Sequence, residues 1–368
     1  MGGIDIGGAA VSRNPNEKDV LALLSLLRDE GDDDVLSIML DDLVWSVSRM
    51  DPRFRRRVLL HAAATVGARR VGGASEQHEI FGLLDELSVL RGAVDFAVVT
   101  VKPVEFDAAK VAFGVDLMRE SDHDWRGAPF YEVQVERPGR RPLKGMLTTC
   151  GDAGNSQMAA FLHTVLSVYS VRMCCLLGMA AGQNREAGLG DVVFADKVID
   201  YGRKIVTVDG DEHELPSFTP DVSIRREMTT FSPERQGWHP MIAEHIAGAV
   251  AQIPSLRIPE TFDPAEYRPR LLRKTVIAAD DLIEDGSMRV RAARVGPARR
   301  TGAAEMEGAG FATGCIEEGV PWLVLRGIAD LGGPDRAKDW QFVSSVAAAT
   351  ALRMYLTGSK LLPDKENA

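Results

Sequence analysis

The sequence predicts an α/β protein: a three-layer α/β/α sandwich with a mixed central sheet, preceded by a small all-α helical domain. Three observations lead there. From residue 95 onward, short β-branched apolar runs such as Phe96-Ala97-Val98-Val99-Thr100-Val101 and Trp322-Leu323-Val324-Leu325 alternate with longer helical stretches; buried strands and their connecting helices read this way. Before residue 92 the apolar spacing is helical throughout, with no strand pattern. Small residues and acids gather at the ends of the apolar runs, where open α/β sheets bind ligands.

In the first domain, 1–92, Leu21, Leu24 and Leu27 share one helix face, and Val35, Ile38, Met39 and Leu43 continue the pattern after Gly31-Asp32-Asp33-Asp34. Asp51-Pro52 starts a further helix over 53–68, with aspartate as cap and proline in the first turn. Another helix follows Gly72-Gly73 at 76–90. This domain reads as an interaction or regulatory module, because it holds no cluster of catalytic residue types. The second domain, 93–368, has predicted strands at 96–101, 173–177, 191–199, 275–279, 302–306 and 322–325. Helices are predicted at 155–170, 240–252, 308–318 and 340–356. Lys204 to Val208 followed by Asp209-Gly210 reads as a hairpin, and 216–269, rich in proline and charge, is expected to hold a loop that covers or flanks the site.

Composition removes several function classes. The 368 residues are 45% hydrophobic and 26% charged, with a net charge of −10, a soluble balance that argues against nucleic acid as partner. The basic run Arg55-Arg56-Arg57 is a solvated helix face. No apolar run approaches the roughly 18 residues of a membrane span, and the start lacks a signal-peptide pattern, so a cytoplasmic protein is expected. Cys150, Cys174, Cys175 and Cys315 show no CxxC spacing, and the seven histidines form no HExxH; reduced thiols, no metal and no cofactor are expected. Gly308-Ala309-Gly310-Phe311-Ala312-Thr313-Gly314 imitates a dinucleotide fingerprint with its last glycine one residue late, and close packing of a helix on the sheet is the better reading.

Chemistry concentrates in two stretches. Glu305-Met306-Glu307-Gly308 places Glu307 just before a helix, and Arg326-Gly327-Ile328-Ala329-Asp330 places Asp330 just past a buried strand. With Val101-Lys102-Pro103-Val104-Glu105 on the loop after the first strand, and the small-residue turn Gly178-Met179-Ala180-Ala181-Gly182 before Leu189-Gly190-Asp191-Val192-Val193, these stretches resemble the nucleoside phosphorylase superfamily. Within it the likeness is to the methylthioadenosine/S-adenosylhomocysteine nucleosidase branch, over about residues 95–356. The resemblance implies a purine N-glycosyl hydrolase in which Asp330 protonates the departing base at N7 and Glu105 activates water. It implies that Glu307 holds the ribose hydroxyls and Met306 packs on the sugar, with Ala181, Gly182, Arg326 and Leu282 as further substrate contacts. Leu282 stands where housekeeping members stack a phenylalanine on the purine, and Ala329 where they carry serine.

Phosphorylases of the superfamily hold phosphate through an arginine and a hydroxyl at the positions of Leu176 and Met179. Neither side chain can grip a dianion, so water is the expected nucleophile. Residues 335–341 resemble the Lys-rich loop and Trp-Gln helix start of nucleosidase domains in immune-type signalling proteins. That likeness implies an ATP- or adenine-nucleotide-depleting effector in antiviral defense, with Lys102, Arg185 and Arg336 near the phosphates. It further implies homo-oligomers and a protein partner for the N-terminal helices, while Trp340 itself reads as a core aromatic. A housekeeping nucleosidase, a phosphorylase and a non-catalytic nucleotide-binding scaffold stand as alternatives.

Overall fold

The computed structural model describes residues 92–362 apart from 126, 208–209, 282, 297–299 and 335–337. The predicted N-terminal helices therefore lie outside the described residues, as do Leu282 and Arg336. Among the described residues, contacts within the chain group 93–166 and 171–362 into one compact unit, the larger of two. The larger unit is an α/β fold with a mixed sheet and, among the described residues, seven α-helices.

Its elements run β1 (Phe96–Thr100), α1 (Pro103–Ala112), β2 (His123–Trp125), β3 (Ala128–Arg137), β4 (Arg140–Thr149), α2 (Asn155–Val168), β5 (Cys174–Gly182) and β6 (Val192–Asp200). They continue with β7 (Lys204–Thr207), β8 (Gly210–His213), β9 (Ser217–Phe218), α3 (Val222–Thr230), α4 (Trp238–Gln252), β10 (Leu271–Ala278), α5 (Met288–Val295), β11 (Thr301–Glu305), α6 (Gly308–Glu317), β12 (Trp322–Asp330) and α7 (Trp340–Gly358). The main sheet runs β9-β6-β10-β11-β5-β1-β4-β3-β2. β12 lies off this path and pairs with β5 in parallel and β6 antiparallel, so β5, β11, β10, β6 and β12 close into a ring. Every residue of β12 is buried, as a strand enclosed on both faces must be.

The helices lie in two groups. α7, the longest, packs on β12 and against α1 and α4, and the buried Trp238 of α4 donates its indole N–H to the Ala347 carbonyl at 3.1 Å. In the second group α6 lies on the start of α2. The closest approach is at Gly310, where any Cβ would overlap the Asn155 carbonyl. The glycine run read as helix on sheet is thus, at Gly310, helix against helix. Among the described residues no helix is long and apolar enough to cross a membrane.

Within 216–269 the helix expected at 240–252 is present as α4, and β9 and α3 are further elements that were not predicted. Pro220 precedes α3 and Pro240 lies in the first turn of α4, where a missing N–H costs nothing, while Pro254, Pro259, Pro264 and Pro269 lie in irregular chain. Three other expectations need correction. The stretch Gly178–Gly182 is not a turn but the end of β5, because both Ala181 and Gly182 pair with β11. Glu105 sits in helix α1, not on a loop. Asp330 is the last residue of β12, still within the ladder opposite Ala181. The β3–β4 hairpin has no counterpart among the predicted strands. The expected hairpin at 204–213 is present, with Thr207 opposite Gly210.

Candidate active site

Each functional side chain is delivered by the end of a strand or the start of a helix. β1 runs into Val101-Lys102, and α1 begins at Pro103 with proline in its first turn. Glu105, three residues on from Lys102, folds back over the helix start. Its Oε2 accepts the N–H groups of Val101 (3.0 Å) and Lys102 (2.8 Å), and its Oε1 accepts the N–H of Met179 on β5 (2.8 Å). A carboxylate is favoured there because the first turn of a helix presents unpaired N–H groups and a positive dipole end. The close approach of β5 requires glycine at 178, where a Cβ would overlap both Glu105 and Arg326.

The second acid comes from the junction of β11 and α6. Glu305 ends β11 and turns its carboxylate onto the chain ahead, accepting the N–H of Glu307 (3.1 Å) and of Gly308 (2.9 Å). That closes the turn and projects Met306 and Glu307 sideways. Across from them Arg326, in mid-β12 and fully buried, pairs with Glu305 and lies 3.2 Å from Glu307 Oε2. One guanidinium therefore serves two glutamates directly and a third, Glu105, through space. Burial pulls the Arg326 pKa down, but the three glutamates together outweigh burial and hold it above its ordinary value.

Glu307 moves the other way. Burial, reinforced by the charges of Glu305 and Glu105, outweighs Arg326 and pushes its carboxyl from 4.5 up to about 7. The native state then holds a proton between pH 4.5 and 7 that the unfolded chain has released, so this contribution to stability is full below 4.5 and lost as pH rises through 7. The melting temperature of the wild type is expected to fall across that window relative to a Glu307→Gln variant; parallel curves for the two proteins would refute the assignment.

Asp330 completes the group at the end of β12, buried, with Oδ1 accepting the Gly332 N–H at 2.8 Å. A pocket unites these parts: its walls include Glu105, Glu307, Met306, Asp330 and Ala181, together with Lys102. Of the other predicted contacts, Gly182 faces Ile328 rather than the pocket. Arg326 stands behind the wall, where it acts on substrate only through Glu305 and Glu307. Arg185 is exposed and lies off the pocket wall. Trp340 packs with Tyr267 (5.9 Å between ring centres) and Phe262 (6.3 Å), the core role expected of it. Sequence reasoning gave no role to Glu305, whose signal was an acid two residues before Glu307, nor to Asp281 and Ile283 on the wall.

A larger cavity of about 1080 Å³ adjoins the site and shares Asp281 with it. It holds none of Glu105, Glu307 or Asp330, so the chemistry belongs to the smaller pocket.

Fold and pocket together define an α/β protein with acids converging from strand ends on one pocket. The chain belongs to the phosphorylase superfamily, whose sequence profile matches residues 111–357. The match begins after Glu105, whose place in the site thus rests on the geometry above. Among relatives, the ATP nucleosidase Cap17 of Escherichia coli is 26% identical over 265 residues, covering 70% of this chain and 50% of that protein. A 5'-methylthioadenosine/S-adenosylhomocysteine nucleosidase of Mycobacterium bovis is 25% identical over 186 residues, covering 50% of this chain and 69% of its own. The chain thus spans half the length of the Cap17 relative. The fold is similar to that of the Neisseria meningitidis 5'-methylthioadenosine/S-adenosylhomocysteine nucleosidase in complex with methylthio-immucillin-A (TM-score 0.51, 14% identity, 72% of this chain and 99% of that one). It is likewise similar to Helicobacter pylori futalosine hydrolase (TM-score 0.50, 14% identity, 73% and 98%).

Proposed function

We propose that this chain hydrolyses the N-ribosidic bond of an adenine nucleoside or nucleotide. The observation that carries the reading is the meeting of Asp330, Glu307 and Glu105 in one pocket. Cleavage passes through an oxocarbenium-like sugar, so a site must protonate the departing base, grip the ribose and activate water. In this reading Asp330 delivers its proton to the purine as the C1'–N9 bond breaks and the bonding pair leaves with the base. Glu307 accepts hydrogen bonds from the ribose hydroxyls, with Met306 against the sugar face. Glu105 takes a proton from the water that bonds to C1', and free adenine and the ribosyl product result.

Water rather than phosphate is the nucleophile because, among the described residues, the wall presents no arginine, and Leu176 and Met179 replace the anion-binding pair. Adenine release is expected to be unchanged when inorganic phosphate is removed; a phosphate-dependent sugar 1-phosphate would overturn hydrolysis.

The likeness to an ATP nucleosidase favours a nucleotide-depleting effector in antiviral defense, a cytoplasmic homo-oligomer whose residues 1–92 dock a protein partner. The likeness to methylthioadenosine/S-adenosylhomocysteine nucleosidases favours a metabolic role. Chromatography of incubations with ATP, AMP, adenosine, methylthioadenosine and S-adenosylhomocysteine separates the two. Adenine from ATP supports the effector, adenine from thioether nucleosides alone supports the metabolic enzyme, and none from any of them refutes the nucleosidase reading.

A further inference from the structure

We propose that Lys102 makes the site selective for substrates bearing a 5'-phosphate, by receiving that anion at the sugar end of the pocket. The inference rests on the N-ribosidase reading above and names the substrate class that the same pocket prefers.

Among the described residues, five carboxylates line the pocket, Glu105, Asp281, Glu305, Glu307 and Asp330, against a single cationic side chain, Lys102. A wall so acidic repels an anionic substituent everywhere except beside that cation. Chain geometry gives the end at which Lys102 lies. Its own N–H donates to Glu105 Oε2 at 2.8 Å, so Lys102 sits beside the acid that, in the reading above, activates water at C1' of the sugar. The opposite end is marked by Asp330, whose partner Gly332 borders Ile283 on the segment that also carries Asp281. That is the base end. A substituent on the ribose 5' carbon therefore meets Lys102, and one on the purine meets Asp281.

The route past Asp281 into the large cavity is less suited to a phosphate, because two of the three arginines that line it already face acids: Arg291 lies 3.1 Å from Asp281 and 3.9 Å from Asp285, and Arg203 lies 3.8 Å from Asp200, with Arg294 the third. Asp280 adds a further acid to that wall. Lys102, by contrast, is exposed, with its ammonium on a flexible four-carbon stem that can follow a phosphate without moving the backbone on which Glu105 depends.

The test compares AMP with adenosine, two substrates that differ only in the phosphate, in wild type, Lys102→Met, Lys102→Glu and Lys102→Arg, with Arg185→Ala as control. Two readouts are taken: kcat/KM for adenine release, and affinity by calorimetry. The wild type is expected to prefer AMP, and Lys102→Met to lower the AMP-to-adenosine ratio about tenfold, the effect of one charge-assisted hydrogen bond. Lys102→Glu is expected to lower it further, Lys102→Arg to retain it, and Arg185→Ala to leave it unchanged. An equal loss on both ligands, or no preference for AMP in the wild type, overturns the proposal. Calorimetry keeps the two readings apart. If no adenine is released but AMP still binds in a Lys102-dependent way, hydrolysis fails while phosphate recognition stands; if neither ligand binds, Lys102 has no such role.

Discussion

Replacing Asp330 by asparagine is expected to lower adenine release about a hundredfold to ten-thousandfold, the range in which a positioned proton donor contributes, while substrate still binds. Asparagine keeps the size of the side chain and can still accept the Gly332 N–H, so the end of β12 stays in place. What it removes is the proton. The departing purine would then leave with its charge uncompensated, a cost borne in the transition state and not in the bound substrate. The predicted signature is a fall in kcat with KM little changed. Binding of an unhydrolysed substrate to the variant, followed by calorimetry, checks the second half; a variant that turns over at more than a tenth of the wild-type rate would remove Asp330 from the mechanism.

The second large effect is on stability. Arg326→Met removes the one guanidinium that faces Glu305, Glu307 and Glu105, all of them buried. A buried carboxylate stripped of its partner typically costs about 3–5 kcal/mol, which for a domain of this size is a fall of roughly 10 °C in melting temperature. The deficit has a pH signature, because the stranded glutamates recover by taking up protons. It is therefore expected to be larger at pH 8 than at pH 5. Adding Glu305→Gln to Arg326→Met removes one stranded charge and is expected to restore part of the loss, as coupled neighbours do. Equal melting of wild type and Arg326→Met would show that the cluster does not hold the fold.

These two variants separate the two uses of charge in the site. Asp330 faces the ligand from the end of a strand. Arg326 lies behind the pocket wall, and it is the reason that Glu307 can stand beside Glu305 and Glu105 in a buried space. Glu307, pushed up to about 7 by burial first and by the charges of Glu305 and Glu105 besides, shows how incompletely one guanidinium offsets that setting.

Much of this was legible in the sequence, because local patterns determine local structure. The apolar runs at 96–101 and 322–325 read as strands because such residues fill a pleated surface buried on both faces, and it was the resemblance to the nucleosidases that put the acids Glu105, Glu307 and Asp330 in one site. Other features depended on contacts between distant segments, which no local pattern encodes. Gly178 to Gly182 looks like a turn until β11 pairs with it. The ring closed by β12 is a matter of which strands meet. Arg326 is the clearest case: its sequence neighbours suggested a ligand contact, and only the tertiary structure placed it behind the wall. Its role follows from three glutamates, 221, 21 and 19 residues away along the chain, brought to one buried point.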